Sequence, residues 1–359
     1  MKLLAVVCFF TLFFSAQAFA DASLVLTPRF ESINGRTPLA ERALLREKLS
    51  ASAGPFAMYL ESFAEGEANQ EARDQRRLAP DYFLQEAYGE FKVGNLFFRG
   101  GKQALRWSEM WVMPSLDVWT ARRWNRFLYD PQPEQFEHSG GLSGAYTGEH
   151  WSLEGVVMSE VARSKYPQPL PEYVDQQSQD VSGGARLKMD LGGFGVSVVG
   201  ARSGMRDTAG VAANYAFEHF VPKVEVGRVL DRSAVPILKA DDHFVALGVD
   251  IFWENWTFQP QANFFDFDDP NYTSPFQSLF YLSGTWQKDR HEFQFQTFGN
   301  IISKDAFASV LYGYNWKDWF QTSAFLQYYD GSDGGLFTVY RQVTGHWAAG
   351  LRFEFNAGI

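Results

Sequence analysis

Residues 244–264, FVALGVDIFWENWTFQPQANF, carry the reading on which the fold depends. Val245, Leu247, Val249, Ile251 and Trp253 alternate with Phe244, Ala246, Gly248, Asp250 and Phe252, the two-residue period that sends successive side chains to opposite faces of a strand. Glu254-Asn255 turns the chain. On the way back Trp256, Phe258, Ala262 and Phe264 share one face, and Thr257, Gln259, Gln261 and Asn263 share the other. Pro260 is the awkward member, because it has no N–H to give a ladder. Trp253 and Trp256 sit beside the turn, where a membrane-spanning hairpin would carry interfacial aromatics.

The same pattern continues on both sides. Phe293 and Phe295 alternate with Glu292, Gln294 and Gln296, and Phe320, Ala324, Leu326 and Tyr328 alternate with Gln321, Ser323 and Gln327. Tyr314, Trp316 and Trp319 cluster near another tight turn. Short turns are expected at Ala53-Gly54, Gly94-Asn95, Thr147-Gly148, Gly192-Gly193, Glu254-Asn255, Lys288-Asp289 and Lys317-Asp318. The connections between them are mostly longer, over 66–80, 108–137, 162–180, 231–242 and 266–276. A β-sandwich has no reason to separate short from long connections in this way, whereas an outer-membrane barrel does. The expectation is all-β: one transmembrane antiparallel up-and-down β-barrel of about 18 strands, with 16 the nearest alternative. The hairpin at Glu218-His219 and the stretch 336–355 are the least regular parts of that count, and 336–355 reads as one long final strand.

Composition agrees. The 359 residues include 34 Phe, 15 Tyr and 11 Trp, so aromatics reach 17% beside 21% charged residues. Mean hydropathy is −0.24, and no apolar run approaches the ~20 residues of a membrane helix. A net charge of −10 disfavours a nucleic-acid binder. Lys2, the apolar stretch 3–14 and the Ala18-Phe19-Ala20 cleavage pattern read as an export signal over 1–20. That leaves 21–359 as the barrel. The single cysteine, Cys8, lies inside the signal, so the mature chain is expected to lack disulfides and thiol chemistry.

Two motifs carry resemblances. At the C-terminus, Trp347, Ala349, Leu351, Phe353 and Phe355 alternate with His346, Ala348, Gly350, Arg352 and Glu354. The resulting Gly350-x-x-Phe353-x-Phe355 resembles the terminal-strand signal of bacterial outer-membrane proteins that the barrel-assembly machinery reads, with Asn356-Ala357-Gly358-Ile359 following where the usual pattern stops. Upstream, the run from Arg99-Gly100-Gly101-Lys102-Gln103 to Arg106-Trp107-Ser108-Glu109, followed by Pro114-Ser115-Leu116-Asp117, is similar to the R-x-G-R-Q-x-x-x-W-G-E and N-P-x-D element of a family of porin-like outer-membrane barrels in the style of alginate-export channels. Leu84-Gln85-Glu86-Ala87-Tyr88 resembles the strand before that element. The sequence departs from it with Lys102 for Arg, Ser108 for Gly and no Asn before Pro114.

The resemblance implies a channel in the outer membrane of a Gram-negative bacterium, with outer-membrane lipid, the assembly machinery and small hydrophilic solutes as partners. Arg99, Gly101 and Gln103 share a strand face, and the connection that follows, about 30 residues long, is functional by length and too aromatic for disorder. It is expected to fold inward as a constriction built from Arg99, Gln103, Arg106, Glu109, Asp117, Arg122, Arg123, Arg126 and Asp130. A surface loop pinned by its own salt bridges is the competing reading. Residues 99–130 hold six basic residues (Lys102 among them) against Glu109, Asp117 and Asp130, which favours anions at the narrowest point.

Enzymatic signatures are weak. The histidines, His138, His150, His219, His243, His291 and His346, are scattered, and G-x-S-x-G does not occur. Asp266, Asp268, Asp269 and Asn271 lack the spacing of a calcium loop. No metal, cofactor or catalytic residue is expected. A non-conducting surface or adhesion barrel and a lipid- or glycan-modifying enzyme stay open as alternatives, and the solute, gating and oligomeric state are not legible.

Overall fold

The computed structural model describes residues 21–34, 40–68, 79–110, 115–122, 136–160, 182–203, 206–231, 241–267, 278–300, 304–331, 337, 341 and 346–358. The expected export signal lies outside them, as do Arg123, Arg126, Asp130, Asp268, Asp269 and Asn271. Twenty strands follow in chain order. They are β1 Asp21–Asn34, β2 Ala40–Ala53, β3 Phe56–Ala68, β4 Ala79–Val93, β5 Leu96–Gln103, β6 Thr120–Arg122, β7 Phe136–Thr147, β8 Trp151–Glu160, β9 Ser182–Asp190 and β10 Phe194–Ser203. Then come β11 Arg206–Tyr215, β12 Phe220–Asp231, β13 Asp241–Trp253, β14 Trp256–Phe267, β15 Ser278–Lys288, β16 His291–Asn300, β17 Asp305–Lys317, β18 Phe320–Asp330, β19 Trp347–Phe355 and β20 Ala357–Gly358.

The three-residue β6 pairs only with β7, and the two-residue β20 extends the last strand against β1. Eighteen wall strands remain among the described residues. Each pairs antiparallel with its neighbours, β5 meets β7 directly, and β1 pairs with both β2 and β19. The sheet is therefore closed, with Phe30 opposite Phe353 at the seam, and closure leaves no unpaired edge. The expected short turns, with the one at Glu218-His219, fall at one end, and the longer connections fall at the other together with the brief links 204–205 and 301–304.

Burial separates the two faces of the wall. Leu247 is 48% exposed, while Phe244 and Ala246 on the other face of the same strand are 2% and 0%. Val157, Val198, Val211, Val226, Val245, Leu326 and Leu351 likewise point outward and exposed, and together they make a broad apolar band that a water-soluble barrel would not show. Trp151, Trp253, Trp316 and Trp319 ring its short-turn end. Gln261, Asn263, Ser323 and Gln327 point inward, as the alternation requires. Pro260 stays in β14: its ladder to β15 is continuous, while that to β13 skips from Gly248–Gln261 to Ile251–Phe258. The missing N–H is thus confined to one side of one strand.

The stretch 336–355 is not one long strand. β19 begins at Trp347, and before it Phe337 is buried against the inner wall. Its backbone N–H donates to Asp305 Oδ2 at 2.8 Å. A residue held inward by such a bond cannot also continue the ladder, so the alternation that starts at Trp347 cannot reach back to Leu336.

Candidate functional site

The chain leaves the wall at the top of β5. Gln103 is fully buried there, its Nε2 donating to Gly141 O at 3.3 Å and its Oε1 accepting from Ser143 Oγ at 2.7 Å. Gly101 has φ +127°, and a Cβ on it would lie 2.2 Å from Ala87 O of β4. The glycine is therefore required by the close approach of the adjacent strand β4.

Beyond Gln103 the chain turns into the barrel and forms a shelf across part of the lumen, of which 104–110 and 115–120 are described. Leu105, Trp107, Met110, Leu116 and Trp119 are each at most 4% exposed. Leu105, Trp107, Leu116 and Trp119 sit against inward-facing Val156 and Met158 of β8, Val199 of β10, Ala212 of β11 and Phe244 of β13. Trp107 and Trp119 meet edge to face at 5.8 Å. The wall is hollowed to receive them: a Cβ on Gly210 would come within 2.6 Å of Leu116 Cδ2, and one on Gly248 within 2.9 Å of Met110 Sδ. Full burial stabilises each such apolar side chain by about 1.5–3 kcal/mol, so packing supplies most of the hold.

Polar contacts then fix the position. Trp107 Nε1 donates to Glu154 Oε2 at 3.0 Å, which also pairs with Arg186 Nη2 at 2.9 Å, and Arg186 Nη1 reaches Arg106 O at 3.1 Å. Asn263 Nδ2 donates to Ser115 Oγ at 3.1 Å. Lys188 lies 3.5 Å from Glu109, but with 43% of its side chain exposed that pair adds little. Asp117 Oδ1 accepts the backbone N–H groups of Trp107 and Ser108, closing the shelf on itself. Glu225 Oε1, from β12, accepts Ser108 Oγ–H at 2.6 Å and the N–H groups of Glu109 and Met110. At the far end Thr120 Oγ1 donates to Leu105 O, and β6 is stitched to β7. Although Asp117 is only partly buried as a residue, burial around its carboxyl pushes it up to about 7.

Across the lumen, β2 to β5 present a second polar surface. Arg99 pairs with Glu90 at 3.2 Å and lies over the Tyr88 ring at 4.2 Å. Arg46 pairs with Glu61 at 2.5 Å, and Tyr59 Oη donates to the same carboxylate. The residues expected at a constriction therefore divide. Arg99 and Gln103 belong to the wall, Arg106, Glu109 and Asp117 to the shelf, and Arg122 closes β6. Arg123, Arg126 and Asp130 lie outside the described residues. Asp117 spends its carboxyl on shelf backbone, and Glu109 faces Lys188.

Glu154, Arg186, Glu225 and Asn263, which anchor the shelf, were not singled out by motif. The available signal was their place on inward positions of strands whose other face is apolar, such as Val224-Glu225-Val226. Phe337, its ring partners Phe298 and Phe307, and Tyr329, which packs on Phe307, had no such signal.

No family model and no curated protein matches the chain. Solved structures do. OccAB2 of Acinetobacter baumannii superposes with a TM-score of 0.64 over 96% of this chain and 100% of its own, at 11% identity. OpdK of Pseudomonas aeruginosa with vanillate gives 0.62 over 94% and 99%, at 12% identity. OccK2 (OpdF) of Pseudomonas aeruginosa in complex with glucuronate gives 0.58 over 96% and 99%, at 10% identity. The fold is that of the Occ/Opd outer-membrane porins. At these identities the likeness establishes architecture, and the barrel expected from alternation and connection lengths is the one found.

Proposed function

We propose that the chain is a passive outer-membrane channel of a Gram-negative bacterium for small hydrophilic solutes, with a preference for anions. The observation that carries this is a closed barrel with an apolar outer band and a polar lumen, narrowed by a shelf whose described residues dock on β8 to β14. Opposite the shelf, Arg46, Lys48 and Arg99 keep 18%, 37% and 23% of their side-chain surface exposed. Charges lining a narrow path select permeants by sign, and residues 99–130 carry an excess of basic residues. Glucuronate and vanillate, bound by OccK2 and OpdK, are both carboxylates, which supports the anionic side of the reading.

The test is reversal potential under a salt gradient in a planar bilayer. Anion preference is expected to weaken at high salt, where screening shortens to a few Å. The triple change Arg122→Ala, Arg123→Ala, Arg126→Ala is expected to raise conductance and shift selectivity toward cations. Identical conductance and reversal potential would remove that loop from the pore. In the same reading the Arg99–Glu109 element allies the chain with porin-like barrels of the alginate-export style. Gly350, Phe353 and Phe355 form the assembly signal in this reading, so Phe355→Asp should lower the amount of folded barrel in the membrane.

A further inference from the structure

Ser108 is bracketed by two carboxyl groups. Its N–H donates to Asp117 Oδ1 at 2.7 Å, and its Oγ–H donates to Glu225 Oε1 at 2.6 Å. Asp117 belongs to the shelf and Glu225 to the wall, so this residue is where one is fastened to the other. Glu225 is 0% exposed. Its Oε1 takes three donors from consecutive shelf residues, yet its Oε2 is buried with no hydrogen-bond partner among the described residues. An ionised carboxylate with one oxygen fully served and the other left without a donor is costly to bury, and a proton on the orphaned oxygen removes the charge while keeping all three accepted bonds.

The charged groups around the pair do not change this. On the shelf, Arg106 favours the charged form of Asp117, and the backbone N–H of Glu109 meets Glu225, which places a second acidic residue beside it. From β9, Lys188 is matched to Glu109 and Arg186 to Glu154 of β8. From β12 and β13, Lys223 is matched to Asp250 at 2.6 Å. The adjoining inward positions Gly210 and Ala212 of β11, Ala246 and Gly248 of β13, and Gln261 and Asn263 of β14 carry no charge.

The geometry points to Glu225 as the positioning residue of the shelf, holding it through a carboxyl pair with Asp117 that docks in a protonated form, so that the aperture of the lumen is set by pH. This rests on the channel reading above for its consequence, but docking itself does not. The sign follows from linkage. A carboxyl held above its ordinary range favours the docked state, fully below 3.8 and progressively less as pH rises to about 7. The shelf is tight in mild acid and looser at alkaline pH.

Two measurements on the full-length protein test it. In the first, Met110→Cys is combined with Cys8→Ser, and labelling by an impermeant thiol reagent is followed from pH 5 to 8, normalised to Gln321→Cys in the lumen. Labelling of Cys at 110 should rise on the order of tenfold across that range. Adding Glu225→Gln, whose amide can serve as acceptor and donor together, should keep the shelf docked and shrink the rise, and adding Asp117→Asn as well should abolish it. Glu225→Ala should label fast at every pH. In the second, single-channel current noise in bilayers should follow the same order. A flat labelling profile for the parent, or Glu225→Ala equal to the parent, overturns the proposal. pH-dependent labelling with no conductance at any pH would sustain the latch while overturning the channel reading.

Discussion

The shelf after β5 and the Phe337 contact before β19 both turn inward from the long-loop end of the barrel, but different forces hold them. The shelf spreads five buried apolar side chains over four wall strands and ties each turn with polar bonds to Glu154, Arg186, Glu225 and Asn263. Phe337 is held by stacking on Phe307 at 5.5 Å, by Phe298 at 6.1 Å and by one backbone bond to Asp305. Aromatic packing is weakly directional, while hydrogen bonds to a β-wall fix register. The first device can set an aperture. The second anchors a connection.

Trp107→Ala should separate the two most sharply. It removes a fully buried indole and its bond to Glu154, a loss of about 3–5 kcal/mol of docking. Bilayer conductance should rise, and the 104–120 segment should become protease-sensitive while the barrel stays folded. Phe337→Ala removes a ring from a smaller cluster and should cost about 3 kcal/mol, the low end for such changes. Its effect should appear as cleavage in the 331–346 connection, with conductance nearly unchanged. If conductance rises as much as in Trp107→Ala, the contrast fails.

Smaller changes test the polar half of the contrast. Asp305→Ala leaves the buried Phe337 N–H without its acceptor, a loss of about 1–3 kcal/mol measurable as a lower midpoint of heat modification. Lys188→Ala should cost less than about 1 kcal/mol, because its pair with Glu109 is exposed to solvent. A large rise in conductance from Lys188→Ala would mean that ion pairing, more than packing, seats the shelf.

Legibility follows the same division. Wall strands are repetitive: each inward or outward position repeats every second residue, so one hairpin such as 244–264 declares the face of every side chain on it. Leu247, Val249 and Leu326 against Gln261 and Gln321 emerge on opposite faces as the alternation requires. The shelf was half legible. A long aromatic connection after Arg99–Gln103 announced that something folds there, but the wall partner of the Ser108 hydroxyl, Glu225, lies 117 residues away, and no local period encodes such a pairing. Phe337 was illegible. Its neighbourhood imitates a strand, and Asp305, 32 residues earlier, diverts it together with the Phe298 and Phe307 rings.

Sequence by itself determined that this chain is all-β, that its strands carry one apolar and one polar face, and that short turns gather at one end, because these follow from side chains at i and i+2 and from turn residues between them. Closure between β1 and β19, the seating of Leu116 on Gly210 and Met110 on Gly248, and the pairing of Asp117 with Glu225 around Ser108 were decided only in the tertiary structure. The physical reason is range. Alternation is a property of neighbours along the chain, whereas a hollow in the wall and the knob that fills it come from strands that meet only when the sheet has curled shut.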